Sequence, residues 1–324
     1  MSKLLSVVIP TYNRCALLER ALESLFAQTL DPEQFEVIVI DDGSTDDTER
    51  SLTALTARAP VSVQYRRQSN RGPGAARNRG MELAEGEHVL LFDDDVLAVP
   101  AFLEEHLRFH RLHPQANVAV AGNLPLAPDL PAEWRGRGQW WRDKWEKIAD
   151  HEELDWTYFT ACNISLKRRF ILDEELWFDE DFPRAAYEDW ELGYRAARRG
   201  LRIYYNEKAM AYHYMNLEFD NLPRRALNHG QGMAILHRKH PELRSEVGNS
   251  LIFSWRNSPG RIARDLVKPA LRNAATVPLF GVLARASEGR SERLARFFRR
   301  QMYAYYERIG YLRARAEQAG ERGS

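Results

Sequence analysis

Three consecutive carboxylates, Asp93, Asp94 and Asp95, follow the apolar run Val89-Leu90-Leu91-Phe92 without a break. On a chain that stays extended past Phe92, Asp93 and Asp95 share one face and Asp94 points to the other. Two carboxylates converging at a strand end repel each other unless a cation lies between them. A hard divalent ion such as Mg2+ or Mn2+ suits oxygen ligands and would also bridge a diphosphate. The plainer alternative is a solvated acidic turn capping the helix that starts near Pro100.

A second acidic pair, Asp41-Asp42, closes the run Phe35 to Ile40. Alone it reads as an Asx-type turn, with Ser44 or Thr45 as N-cap of the next helix. It gains weight because both acidic ends should face one crevice. Between them lies Asn70-Arg71-Gly72-Pro73-Gly74-Ala75-Ala76-Arg77-Asn78-Arg79, a glycine-bearing loop entering a helix. Its glycines let backbone approach an anion, the helix N-terminus favours one, and Arg77 adds charge-assisted bonds to phosphate. Gly72-Pro73-Gly74 also opens like a dinucleotide fingerprint, with Asp93 about 20 residues further on. Arg77 stands at the third glycine position, however, and the aspartates come as a triplet, which argues against a dehydrogenase. Glu188-Asp189 opens another helix, where carboxylates commonly serve as dipole partners. His213 stands at a strand end, where a lone histidine is usually structural.

The elements that must position these residues alternate. Strands are expected at Leu4 to Ile9, Phe35 to Ile40, Val61 to Arg66 and His88 to Phe92. Helices are expected at Ala16 to Gln28, Gly74 to Ala84 and Ala101 to His113, with another following Asp46. This alternation indicates a parallel, doubly wound sheet, which binds ligands beyond the carboxyl ends of its strands. Thr11-Tyr12-Asn13-Arg14, Asp41-Asp42-Gly43-Ser44 and the aspartate triplet all fall at such ends. Beyond about residue 115 the alternation fades, with a strand at Val118 to Ala121, a helix at Glu188 to Arg199 and a strand at Leu201 to Tyr205. From Asp220 onward the pattern is largely helical.

The 324 residues suffice for one large α/β domain with an extension. The 46 Lys/Arg balance 46 Asp/Glu, yet 15 basic and 6 acidic residues lie from Trp255 onward, leaving +9 there and −9 before it. A basic tail on an acidic body suggests an anionic partner for the tail. The 2 cysteines, Cys15 and Cys162, form no metal or redox spacing, and a reducing compartment fits. No signal peptide is read at the N-terminus and no apolar run is long enough to span a bilayer. The expected location is cytoplasmic, with the basic tail allowing peripheral contact at the inner face of the membrane.

In order and type, these motifs resemble the inverting glycosyltransferase family 2, over residues 3 to 215. The residues that carry the resemblance are Val7-Val8-Ile9-Pro10-Thr11-Tyr12-Asn13-Arg14, Asp41 to Asp46, Asn70 to Asn78, the DxD-like Asp93 to Asp95, Thr160-Ala161-Cys162-Asn163 with Lys167-Arg168, and Glu188-Asp189. The resemblance implies an α/β GT-A (nucleotide-diphospho-sugar transferase) fold with a Rossmann-like, mostly parallel sheet and a helical C-terminal extension. Residues 1–217 would form the catalytic domain, split into a nucleotide-sugar-binding half (1–115) and an acceptor-binding half (116–217), and residues 218–324 the basic extension. Pro10, Thr11, Tyr12 and Arg14 would line the nucleoside pocket and Asp42 would hold the base. Gly72 and Arg77 would lie near the base or diphosphate, and Asp93, with Asp94 beside it, would reach the ribose or sugar. Asp95 would be the main metal ligand, for Mn2+ or Mg2+, with Asp93 and His213 near metal or phosphate. Asp189 would be the general base, assisted by Glu188.

The implied partners are a UDP-, GDP- or dTDP-sugar, UDP by default, and an acceptor that is a glycan, a lipid-linked molecule or a small molecule. The QxxRW motif of processive synthases is not found, since Gln231-Gly232-Met233-Ala234-Ile235 departs from it. Trp140, Trp141 and Trp145 would either stack an acceptor ring or pack internally. The arginines and aromatics from Arg285 to Tyr306 would either meet an anionic membrane or pack on the catalytic domain. Their helical spacing speaks against nucleic acid. The rivals are a non-catalytic nucleotide-sugar-binding scaffold, which would lack a base or metal ligand, and a nucleotidyltransferase, which would need a glycine- and lysine-bearing loop after the first strand.

Overall fold

A computed structural model describes residues 3–247 and 272–321, with side chains to residue 318. The unbroken apolar runs become central strands because both faces of the sheet are covered. Leu5–Thr11 (β1) pairs in parallel with Phe35–Asp41 (β2) and His88–Phe92 (β4), and β2 with Ser62–Arg67 (β3). The helices Cys15–Phe26 (α1), Thr48–Thr56 (α2), Pro73–Leu83 (α3) and Phe102–Leu112 (α4) alternate with these strands, and Val96–Ala98 (β5) lies between β4 and α4. Val118–Gly122 (β6), Glu153–Leu154 (β7), Asn163–Lys167 (β8) and Arg202–Asn206 (β9) complete an eight-stranded sheet of order β3-β2-β1-β4-β8-β6-β9-β7. Only β8 and β7 run against the rest. Ala211–His213 (β10) pairs with β5 in a small antiparallel ribbon.

Two compact units divide the chain: Met1–Leu130 with Gln139–Met215, and Pro131–Gly138 with Asn216–Ser324. The first holds the sheet, the helices α1 to α4, Gln139–Trp145 (α6), Arg168–Asp173 (α7) and Glu188–Arg198 (α8). In the second, Ala132–Arg137 (α5) joins Leu222–Lys239 (α9) and the helices Val277–Ser287 and Glu292–Glu321. The segment 131–138, which lies within the expected acceptor-binding half (116–217), thus groups with the C-terminal helices. Arg137 makes a bidentate pair with Glu288, at 2.9 and 2.7 Å. The helix Glu292–Glu321 crosses α9 at backbone contact: a Cβ on Gly230 would lie 1.9 Å from the Glu307 carbonyl oxygen, and one on Gly310 2.2 Å from that of Leu227. The helical expectation for the tail is met where it is described; residues 248–271 lie outside the described residues. Among the described residues no helix is long and apolar enough to cross a membrane.

Candidate functional site

The three polar strand ends meet at the carboxyl edge of β1, β2 and β4. Asn13 adopts a left-handed φ of 53° and straps two of them together. Its N–H donates to Ser44 Oγ at 2.9 Å, and its Oδ1 accepts from the Thr45 N–H at 2.7 Å. This corrects the expected helix cap: Asp46 accepts from the Thr48 hydroxyl and N–H at the start of α2, while Ser44 and Thr45 serve the strap. Asp41 Oδ1 receives the Ser44 N–H at 2.7 Å, closing the expected Asx turn.

Asp42 governs the glycine-bearing loop. Its Oδ1 accepts from the Arg71 N–H at 2.9 Å and from Gln68 Nε2 at 2.9 Å, and its Oδ2 from the Gly72 N–H at 2.8 Å. Gly72 has φ of 92°, and a Cβ there would meet the Pro183 carbonyl oxygen at 3.1 Å, so glycine is required twice over. Pro73 then starts α3 at the position that tolerates it.

Arg77, on the inner face of α3, is buried and forked between two carboxylates. Its Nη2 donates to Asp93 Oδ1 at 2.8 Å and its Nη1 to Glu188 Oε1 at 3.0 Å. Asn78 clamps the segment leading to α8 through reciprocal bonds with the Phe178 backbone, at 2.9 and 2.8 Å. Tyr187, with a left-handed φ of 70°, then turns the chain into α8 and sets Glu188 and Asp189 in its first turn. Asp189 Oδ1 accepts from the Trp190 N–H at 2.8 Å. Burial raises the Asp189 carboxyl above its ordinary range, against the charges of Arg77 and Lys144.

The aspartate triplet does not stay extended. The Val96 N–H bonds back to the Asp93 oxygen at 3.3 Å, so the chain turns at Asp94 and Asp95. The expected pairing of Asp93 with Asp95 on one face is therefore replaced by a different division. Asp93 turns to Arg77, while Asp94 and Asp95 share Arg14. Arg14 Nη1 lies 2.9 Å from Asp94 Oδ1 and 2.8 Å from Asp95 Oδ2, and Thr11 Oγ1 donates to Asp94 Oδ2 at 2.8 Å. The β5–β10 ribbon brings His213 opposite, with Nε2 3.3 Å from Asp95 Oδ1. Burial would raise Asp95, but the His213 and Arg14 charges hold its carboxyl well below the usual carboxylate range. Buried Asp95 Oδ1 and His213 Nδ1 form no hydrogen bond. Among the described residues no three His, Cys, Asp or Glu converge on one point as they stand.

Some contributors carry no sequence motif. Lys144 reaches from α6 among the rings of Tyr158, Trp145 and Trp190, 4.8, 5.4 and 5.6 Å from their centroids, and its charge bears on Asp189. Trp141 and Trp145 are buried, which excludes them from an open stacking platform; Trp141 packs edge-on against His213 and donates its indole N–H to the Leu124 oxygen. Trp140 stays exposed. Cys162, from the Thr160–Asn163 stretch, is buried where the charges of Asp93, Asp189 and Asp95 reach it, and burial first of all pushes its thiol up.

Glu188 supplies a pH test. Burial and the neighbouring Asp189 push its carboxyl from 4.5 up to about 7, with Arg77 opposing. Between those values the folded state keeps a proton that the unfolded chain releases. Stability therefore declines as pH rises through the window, by up to about 1.4 kcal/mol per pH unit from this group. Chemical denaturation at a series of pH values should show that decline in the wild type and a flatter profile in Glu188→Gln. Parallel profiles would remove Glu188 as its source.

The mainly parallel sheet, flanked by helices, is a GT-A-like fold. The chain belongs to glycosyl transferase family 2, whose family model matches residues 6–176. It is 34% identical over 227 residues to a validoxylamine A glucosyltransferase of Streptomyces hygroscopicus subsp. limoneus, covering 61% of this chain and 49% of that protein. The chain thus spans about half the length of that curated relative. Among solved structures it is similar to a mannosyltransferase of Pyrobaculum calidifontis in complex with GDP-Man and Mn2+, with a TM-score of 0.62 and 19% identity over 96% of this chain and 88% of that one. It is also similar to S. aureus TarS 1-349 in complex with UDP, with a TM-score of 0.54 and 20% identity over 96% and 91%.

Proposed function

We propose that the chain is an inverting, divalent-metal-dependent glycosyltransferase that moves a sugar from a nucleotide-diphosphate sugar to an acceptor hydroxyl. The observation that carries this reading is the Arg77 fork. It ties the aspartate triplet after β4 to Glu188, next to Asp189, and so joins an acidic donor corner to a candidate base within one buried crevice. A UDP-sugar is the default donor, in keeping with the UDP in TarS. A GDP-sugar is the alternative that the mannosyltransferase complex supports. The acceptor is a glycan, lipid-linked or small-molecule hydroxyl.

The residues fit a hard divalent ion: the buried Asp95 Oδ1 and the His213 ring, 3.3 Å apart, offer an oxygen and a nitrogen donor side by side, and His213 Nδ1 has no hydrogen-bond partner. Asp95 and His213 would hold Mn2+ or Mg2+, which when bound neutralises the leaving diphosphate. The N-terminus of α3 presents its backbone N–H groups to the same diphosphate. Asp42 and Tyr12 frame the nucleoside. Asp189 accepts the proton of the acceptor hydroxyl as that oxygen attacks the anomeric carbon from the face opposite the diphosphate. One displacement of this kind inverts the anomeric configuration.

UDP, GDP and dTDP, each with and without Mn2+, test the donor site by thermal melting. Ligand at about a hundredfold over its Kd adds roughly 2.7 kcal/mol, which raises Tm by a few degrees. A metal-dependent rise with one nucleotide, absent in Asp95→Ala, is the expected result. No rise with any nucleotide would sink the reading in favour of a scaffold.

A further inference from the structure

Asp94 and Asp95 are adjacent, buried and joined at one corner of the crevice by a single guanidinium nitrogen. Arg14 Nη1 reaches both, at 2.9 and 2.8 Å. Asp94 has a second donor in Thr11 Oγ1, whereas Asp95 Oδ1 faces the His213 ring, with Nε2 at 3.3 Å. Arg14 stands at the N-cap of α1 with 45% of its side chain exposed, so it is the least enclosed member of this corner. A guanidinium and a divalent ion are alternative answers to the same repulsion, and Asp95 Oδ2 is already bonded by the first. The planar fork of arginine is also well suited to phosphate oxygens.

We propose that Arg14 is an exchangeable counter-ion of the acidic corner, holding Asp94 and Asp95 in the donor-free protein and passing to the donor's diphosphate when a divalent ion takes its place at Asp95. The inference rests on the reading of this crevice as a metal and nucleotide-diphosphate site, and adds that the two ligands bind cooperatively. Metal alone displaces the guanidinium from Asp95 and leaves it Asp94 as its remaining partner at this corner. Diphosphate alone draws Arg14 away and leaves Asp94 with the Thr11 hydroxyl and Asp95 with His213. Together they complete the exchange, and the coupling is reciprocal.

Mn2+ titration of the full chain, followed by the electron paramagnetic resonance of free Mn2+, tests this without turnover. It is run with and without saturating UDP or GDP and corrected for Mn2+ held by the nucleotide in solution. In the wild type, diphosphate should tighten Mn2+ binding by about tenfold or more, within the range usual for coupled sites. Arg14→Met should bind Mn2+ alone about tenfold tighter than the wild type and gain little more from diphosphate. Asp94→Asn keeps an acceptor for Thr11 and removes one anchor of Arg14. It should move the same way by a smaller step, independently of how Arg14→Met folds. If both variants bind Mn2+ alone no tighter than the wild type while diphosphate still helps, the exchange is overturned and the metal–nucleotide site stands. If the wild type binds no Mn2+ with either diphosphate, both fall.

Discussion

Asp189→Asn should keep the nucleotide-dependent rise in melting temperature and lose turnover by a factor of roughly 100 to 10,000, the usual contribution of a positioned base. Asp189 lies in the first turn of α8, where it accepts the neighbouring Trp190 N–H. Burial raises its carboxyl, which suits a group that must accept a proton near neutral pH. Asparagine preserves volume and the local bond but cannot take the proton. The measurement is release of nucleoside diphosphate from the donor, to acceptor or to water, beside a melt with UDP or GDP and Mn2+. Turnover near the wild-type level would move the base elsewhere, first to Glu188. Loss of the nucleotide shift as well would mean that the substitution damaged the crevice.

Arg77→Met should be the most destabilising single change in the crevice. Removing one partner of a buried ionic group typically costs about 3–5 kcal/mol, because the other charges stay behind. Arg77 is the shared partner of Asp93 and Glu188, and its fork joins α3, the turn after β4 and α8. The loss should fall near the lower end of that range, since Glu188 can take up a proton once the guanidinium is gone. Urea denaturation of Arg77→Met and Arg77→Lys at neutral pH would check this. Lysine should recover only part of the loss, having one nitrogen where two are needed. A change below about 1 kcal/mol, the scale of a surface pair, would show that the fork does not hold these elements together.

The parallel half of the sheet was legible in the sequence because its inner strands β1, β2 and β4 are almost wholly buried. Runs such as Val37-Ile38-Val39-Ile40 have no solvent face to interrupt them, and each ends in a polar stretch. The two small antiparallel pieces were not. β5 is only three residues, and its partner β10 lies more than a hundred residues downstream, so no local period marks either. The triplet was legible as a cluster, but its orientation was not, because it depends on a turn that one backbone bond from Val96 creates. Lys144 was invisible for a different reason. A lysine among tryptophans reads as a solvated charge on a helix, and only the fold around α6 turns it toward Asp189. His213 was found through the resemblance, whereas its placement against Asp95 required the β5–β10 ribbon.

The grouping of Pro131–Gly138 with Asn216–Ser324 bears on how such a chain can be pruned or inherited. A cut after Met215 would not release a clean catalytic half. It would leave α5 behind with Arg137 deprived of Glu288. For the same reason, a single junction after Met215 would bring in new C-terminal helices without their partner segment 131–138. The segment 131–138 and the C-terminal helices are one compact unit drawn from two stretches of the chain, and substitutions in either are expected to track those in the other.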